Sequence, residues 1–424
     1  MPFRGERYRE TDRLGALIAP PYDVITPEQR GRYAAWDSHN IVHLMLPEAM
    51  AHEDRYARAG TQLAEWRAAG ILATDAAPAV YVIAQEYQPP GGATRTRLGV
   101  LAAVAAEPYE AGRIKPHEKT HAGPKADRLA LLRATRTNLE SIFLLAPDAD
   151  GALAAELATV AKGAPDARAE LDGGRIKLWV VTGAAASRIS HLSSRSSLYI
   201  ADGHHRYETA VAYAQENPAA GRVLALIVSA RDPGLTVLPT HRMIYGPGRD
   251  PLALVERWKR YFDVGNLPAG ADAIAKLTEL GTRGTACVVA LPDGQDLLLT
   301  LKPAAPLDEV HGLSPSKTVR ALDVAIVEEL VVKEILLLET STPTLSYTPD
   351  AREAIAAVRK GAATCAVLLN PPKVEQVFAV ADAGDVMPQK STYFIPKVPS
   401  GLVLLRIDEA TEGRKEASVL PSQL

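Results

Sequence analysis

The sequence predicts an α/β (α+β) protein, and three observations carry that prediction. Short runs of apolar and β-branched residues alternate with longer stretches of helical periodicity. The two kinds are interleaved along the whole chain, which argues against separate all-α and all-β regions. The composition, 47% hydrophobic and 23% charged over 424 residues, is that of an ordinary globular chain with room for more than one domain.

The elements follow in order. A helix is predicted over 50–69, ended by Gly70. Strands are predicted over 79–87 ("AVYVIAQEY"), 97–106, 141–147, 176–183, 197–202 and 222–230, with helices over 126–138, 150–162 and 205–216. Turn residues gather in "YGPGRDP" at 245–251 and predict a domain boundary. Beyond it come a helix in "LALVERWKRYF", strands in "TACVVALPD" and "QDLLLTLKP", a helix near 320–338, a strand in "ATCAVLLNPP" and a last strand in "GLVLLRID". The division expected is therefore 1–78 as an N-terminal extension, 79–246 as a core and 247–424 as a C-terminal α/β region. Residues 409–424 read as loosely ordered.

Composition narrows the function classes. A net charge of -3 provides no broad cationic surface, so nucleic acid is not the expected partner. No apolar run is long enough to cross a bilayer. The opening "MPFRGERYRE" holds no apolar segment, so no secretory signal is visible and a cytoplasmic location is expected. Cys287 and Cys365 lie in apolar runs and read as buried strand thiols. Trp36, Trp66, Trp179 and Trp258 read as packing residues. Oligomeric state is left open.

Two motifs carry chemistry. The first is "SLYIADGHHRYETA", a strand, a tight turn at Asp202-Gly203, and a helix from His204 or His205 onward. Asp202 is placed to cap that helix. His204, His205 and Arg206 put cationic groups where the helix dipole disfavours them. An anion resolves this conflict, because free backbone N–H groups, a glycine and His/Arg side chains form a phosphate cradle. The plainer reading leaves the histidines exposed and pairs Arg206 with a carboxylate such as Glu208.

The second motif is His117-Glu118-Lys119-Thr120-His121, which fits the zinc-protease pattern H-E-x-x-H. Pro116 precedes it and Gly123-Pro124 follow, which leaves too little chain for the sustained helix a zinc site needs. The alternative makes Glu118 a loop carboxylate acting as general base, with Lys125 and Arg128 downstream able to meet phosphate oxygens. Tyr22 and Asp23, after Pro20-Pro21, and His241 and Arg242 are further pocket-lining candidates. Lys390-Ser391-Thr392 with Lys397 offers groups for a phosphate or carboxylate but lacks the glycine-rich cradle of a P-loop.

The pair "IKPHEKT…KADRLALL" and "YIADGHHRYETA" resembles the ParB/sulfiredoxin-like superfamily and, within it, the free-serine kinases. The whole chain is similar to a bacterial family, the domain of unknown function 1015. That similarity also takes in "APPYDVIT", "LPTHRMI" and "MPQKSTYFIPKVPSGLV". The resemblance implies a ParB/sulfiredoxin-like core with large insertions and an additional C-terminal α/β region. It implies a small-molecule kinase, with free L-serine as first acceptor and ATP, ADP or pyrophosphate as donor. Glu118 would be the catalytic base beside His117. Asp202, Gly203, His204, His205 and Arg206 would hold phosphates, and Mg²⁺ would bridge them with Asp202 as a ligand. The alternatives are a CTP-type nucleotide switch without catalysis, removal of phosphate from phosphoserine, and a zinc peptidase.

Overall fold

The strand Ala79–Tyr87 (β1) is buried without interruption from Ala79 to Ala84. A run apolar on both faces can be satisfied only inside a sheet covered on both sides. The structure, a computed structural model, describes residues 1–49, 53–120, 122–246, 248–268, 270–336 and 344–407. The fold is mixed α/β, and the chain divides into two compact units. Unit 1 holds Met1–Ile114, Thr120–Leu235 and the segment from Pro396, and unit 2 holds Lys115–Lys119 and Thr236–Ile395.

Unit 1 is built on an eight-stranded sheet. Its strands are β1, Arg95–Ala105 (β2), Ile114–Lys115 (β3), Ile142–Ala146 (β4), Ala167–Leu171 (β5), Gly174–Thr182 (β6), Leu198–Asp202 (β7) and Arg222–Ser229 (β8). Their order across the sheet is β3-β7-β4-β8-β2-β1-β6-β5. β8 runs parallel to β4 and antiparallel to β2. One face packs Val82, Val100, Leu144, Ile200 and Ile227 against Leu153, Leu157 and Ile189 from helices Ala152–Val160 and Gly183–Ser193. Helix Arg55–Ala68 is capped by Asp54, which accepts from Tyr56 N–H, and buries Ala59, Leu63 and Trp66 at helical spacing. Two further helices position the site, Ala122–Thr135 (α1) and His204–Glu216 (α2).

Unit 2 carries a six-stranded sheet of His241–Tyr245 (β9), Phe262–Asn266 (β10), Ala286–Ala290 (β11), Leu297–Leu301 (β12), Thr344–Thr348 (β13) and Cys365–Leu369 (β14). The order is β10-β12-β11-β14-β9-β13. Cys287 and Cys365 are buried free thiols in these strands, as expected.

Three expectations are corrected. The division falls after Leu235 rather than at 246, because "HRMIY" is a strand of unit 2 paired with both β13 and β14. Residues 1–78 belong to unit 1, where Phe3 bridges Ala79 and Glu6 bridges Leu404. The segment from Pro396 also belongs to unit 1, and Leu405–Arg406 pairs with Thr137–Asn138. The helix expected near 320–338 is present, helical throughout Asp323–Leu336 with a π turn at Glu328–Val332, and the short helix Lys317–Arg320 precedes it. The tail 409–424 lies outside the described residues. Among the described residues no helix is long and apolar enough to cross a membrane.

Candidate functional site

The turn after β7 is the centre of the unit 1 site. Gly203 has φ +92°, a left-handed conformation that favours glycine, and it is the N-cap residue of α2. No side chain caps this helix, and its first turn holds no acidic residue. Asp202 therefore does not cap. It is the last residue of β7, and its Oδ2 accepts from Lys397 Nζ at 3.1 Å. Arg206 folds back on the turn, with guanidinium atoms 3.2 Å from where a side chain at 203 would begin. Its Nη1 donates to the carbonyl of Ser141, its Nη2 lies 3.8 Å from Asp202, and its Nε has no partner although the residue is only 9% exposed.

A third cation, Arg97 on β2, lies 4.5 Å over the Phe143 ring and donates to Gln85, its register partner on β1. Gln85 in turn donates to the carbonyl of Lys397 at 2.9 Å. Burial pulls the Arg97 guanidinium down to about 10, against the attraction of Tyr87, Asp232 and Asp202. Burial pushes the Asp202 carboxyl up, but Lys397 and Arg206 outweigh it and hold the carboxyl well below its ordinary value. Arg97 Nη1, like Arg206 Nε, is a buried donor without an acceptor. Lys397, Arg206 and Arg97 all gather around Asp202, and two buried donors, Arg97 Nη1 and Arg206 Nε, stand unsatisfied, at a cost of about 1–3 kcal/mol each. An anion relieves both.

Arg206 also faces a second carboxylate group. Tyr22 and Asp23 form a 3₁₀ turn, and Tyr22 N–H donates to Glu140 Oε1 at 2.9 Å. Arg206 is held protonated, despite burial, by Asp23, Glu140 and Asp202. Burial raises the Glu140 carboxyl, opposed by Arg206 and Arg128. Tyr22 and Asp23 therefore lie within electrostatic reach of Arg206. Arg128 does not act as a free phosphate ligand. Its donors go to Asp127, to the carbonyl of Met45 and to Glu140, and its guanidinium lies 4.2 Å over the Tyr22 ring. Lys125 is likewise engaged, 2.9 Å from Glu208, which also accepts from Thr120 at 2.6 Å. Glu208 thus serves Lys125 and leaves Arg206 to Asp202. His204 is buried and His205 half-buried in the first turn of α2.

Residues 116–119 are non-helical and belong to unit 2. His117 is buried, with Nε2 3.1 Å from Thr392 Oγ1, and its carbonyl accepts from Met387 N–H at 2.9 Å. Glu118 Oε1 accepts from the backbone N–H of Lys390 at 3.2 Å. The segment is a loop stitched to 387–392, so it lacks the helix that would align two zinc ligands. His121 lies outside the described residues. Among the described residues no cluster of three metal-ligating side chains occurs.

His241 and Arg242 are strand residues, not pocket-rim residues. His241 is 1% exposed, and its Nδ1 accepts from Leu369 N–H at 3.3 Å. Burial, then Arg242, lowers it to about 4. Arg242 is 1% exposed and pairs with Glu328 at 3.0 Å.

Asp202 does not fit the expected Mg²⁺ ligand. A divalent cation at this carboxylate would face Lys397 at 3.1 Å and Arg206 at 3.8 Å, both of like charge. Arg97 and Glu140 are residues sequence reasoning left out of the site, and Lys397, named with Lys390-Ser391-Thr392, was not brought to Asp202. Gln85 and Arg97 stand where their strands pass between apolar and polar residues, so the sequence singles out neither.

Residues 1–325 match the family model described as "Protein of unknown function (DUF1015)". The chain belongs to this family. No curated protein sequence matches it. Among solved structures, the family member resembles a conserved hypothetical protein from Pyrococcus furiosus at TM-score 0.35 and 16% identity, covering 71% of this chain and 93% of that one. It resembles a free serine kinase in complex with AMP at TM-score 0.37 and 14% identity, covering 70% and 87%. It also resembles SbnI with a C-terminal truncation from Staphylococcus aureus at TM-score 0.37 and 11% identity, covering 70% and 82%.

Proposed function

We propose that the protein is a small-molecule phosphotransferase, with free L-serine the first acceptor to test. The single observation that supports this most is the turn Asp202–Arg206. It combines an uncapped helix N-terminus, a left-handed glycine and a buried arginine whose Nε has no acceptor. Such a turn suits phosphate oxygens, which would accept from the helix N–H groups and from Arg206. Arg97 and Lys397 add charge that offsets what develops on the transferred group. Nucleotide or pyrophosphate is the donor class this charge suits. Asp202 acts here as the carboxylate that positions Lys397 and Arg206.

Glu118 is assigned the acceptor's proton. As the hydroxyl oxygen forms its bond to phosphorus, the bond to the leaving phosphate breaks and the hydroxyl proton passes to the Glu118 carboxylate. Glu118 accepts a hydrogen bond from Lys390 N–H, which orients its carboxyl group. The test incubates the protein and a magnesium salt with L-serine and, separately, ATP, ADP, CTP or pyrophosphate, following O-phosphoserine. Product from one donor, lost in Glu118→Gln with donor affinity kept, is the expected result. Full turnover in that variant contradicts the assignment of Glu118.

A further inference from the structure

A cavity of about 620 Å³ in unit 1 touches none of the residues of the Asp202–Arg206 site. Its wall is the hairpin of β5 and β6, and β5 is the edge strand of the eight-stranded sheet. Arg168 and Lys177 stand directly opposite each other across that hairpin. Opposed residues of an antiparallel pair point to the same face, and like charges there are destabilising. Among the described residues neither has an ion-pair or hydrogen-bond partner. The other lining cations are engaged, Arg13 by Asp37 and Arg175 by Glu86. Two acids also line the cavity, Asp12 and Glu170, and Glu170 stands opposite Arg175.

The same cavity holds Trp36. Sequence reading assigned all four tryptophans to packing, and Trp66, Trp179 and Trp258 are at most 5% exposed. Trp36 is 40% exposed. Its ring is oriented by Tyr33, edge-on at 4.9 Å, and by the Arg32 guanidinium 5.7 Å from its centroid. Helix Leu14–Leu17 closes the cavity from the other side. A side chain at Gly15 would come within 2.5 Å of the Glu170 carbonyl, so helix and edge strand approach closely. A planar ring held at the mouth, with an unneutralised cation pair on the wall, matches a ligand that is flat at one end and anionic at the other.

We infer that this groove is a second binding site, for a nucleotide, with the base against Trp36 and the phosphates on Arg168 and Lys177. It is independent of the Asp202–Arg206 turn. The test is photolabelling of the full chain with 8-azido-ATP, with labelled peptides mapped. Label is expected in the peptides carrying Trp36 or residues 167–177. ATP should compete for it, whereas adenosine or pyrophosphate alone should compete at least ten-fold less well. Arg168→Glu with Lys177→Glu should cut the label about ten-fold, and Trp36→Ala likewise, while Arg206→Ala leaves it unchanged. Label absent from these peptides, or undiminished by charge reversal, overturns the inference. An oligonucleotide that competes far better than ATP overturns the mononucleotide assignment.

Discussion

Two His–Arg pairs occur in this chain, one in each unit, and only their backbone settings separate them. His205-Arg206 lies in the first turn of α2, behind a left-handed glycine. His241-Arg242 lies inside β9, with neighbours on both sides. Both arginines are buried, and both keep one nitrogen without a partner. At the helix start the backbone itself presents donors, so the unsatisfied guanidinium suits the anion cradle proposed there. In the strand the backbone is consumed by the sheet, and Arg242 is a structural cation neutralised by Glu328. The same dipeptide opens a helix at the proposed binding turn in one place and is a core element in the other.

The largest expected effect breaks the strand pair. Arg242→Ala leaves Glu328 without its buried partner and should destabilise unit 2 by about 3–5 kcal/mol. Thermal unfolding would show this, while pyrophosphate affinity should stay unchanged. His241 sharpens the same point through pH. Its folded value of about 4 lies below the ordinary 6.5, so as pH falls the unfolded chain takes the proton first. The stability carried by the neutral imidazole is whole above pH 6.5 and is lost as pH falls to about 4, a drop of about 3 kcal/mol at most. Denaturant melts at pH 7 and pH 5 should show part of this loss, and His241→Asn should flatten it.

The helix pair should respond in affinity. Arg206→Ala should weaken pyrophosphate or nucleotide binding at the turn by about 30-fold, roughly 2 kcal/mol. Arg206→Lys should recover little of it, because a point charge does not replace a planar fork. Gly203→Ala should cost about 1–2 kcal/mol, since alanine resists φ +92° and its Cβ would press on the Arg206 guanidinium. A smaller loss of anion affinity should accompany it.

Much of this was legible in the sequence, for identifiable reasons. The strands 79–87 and 222–229 are continuous apolar runs with clear ends. The Asp202–Arg206 turn was visible because glycine and a cluster of cations break the local rule for a helix start. What stayed hidden depends on distance along the chain. Lys397 reaches Asp202 from 195 residues away, and Glu140 meets Tyr22 from 118 away. No local pattern records such pairings. β5 was missed because "ARAEL" is half polar and short. Arg128 was misread because a basic run does not reveal which cation the core has already neutralised.

The most direct measurement is a calorimetric titration of pyrophosphate into the wild-type protein and into Arg206→Ala, with melting curves of both. Binding to the wild type and about 30-fold weaker binding to a variant that remains folded are expected. Equal affinity in the two folded proteins would contradict a phosphate site at the Asp202–Arg206 turn.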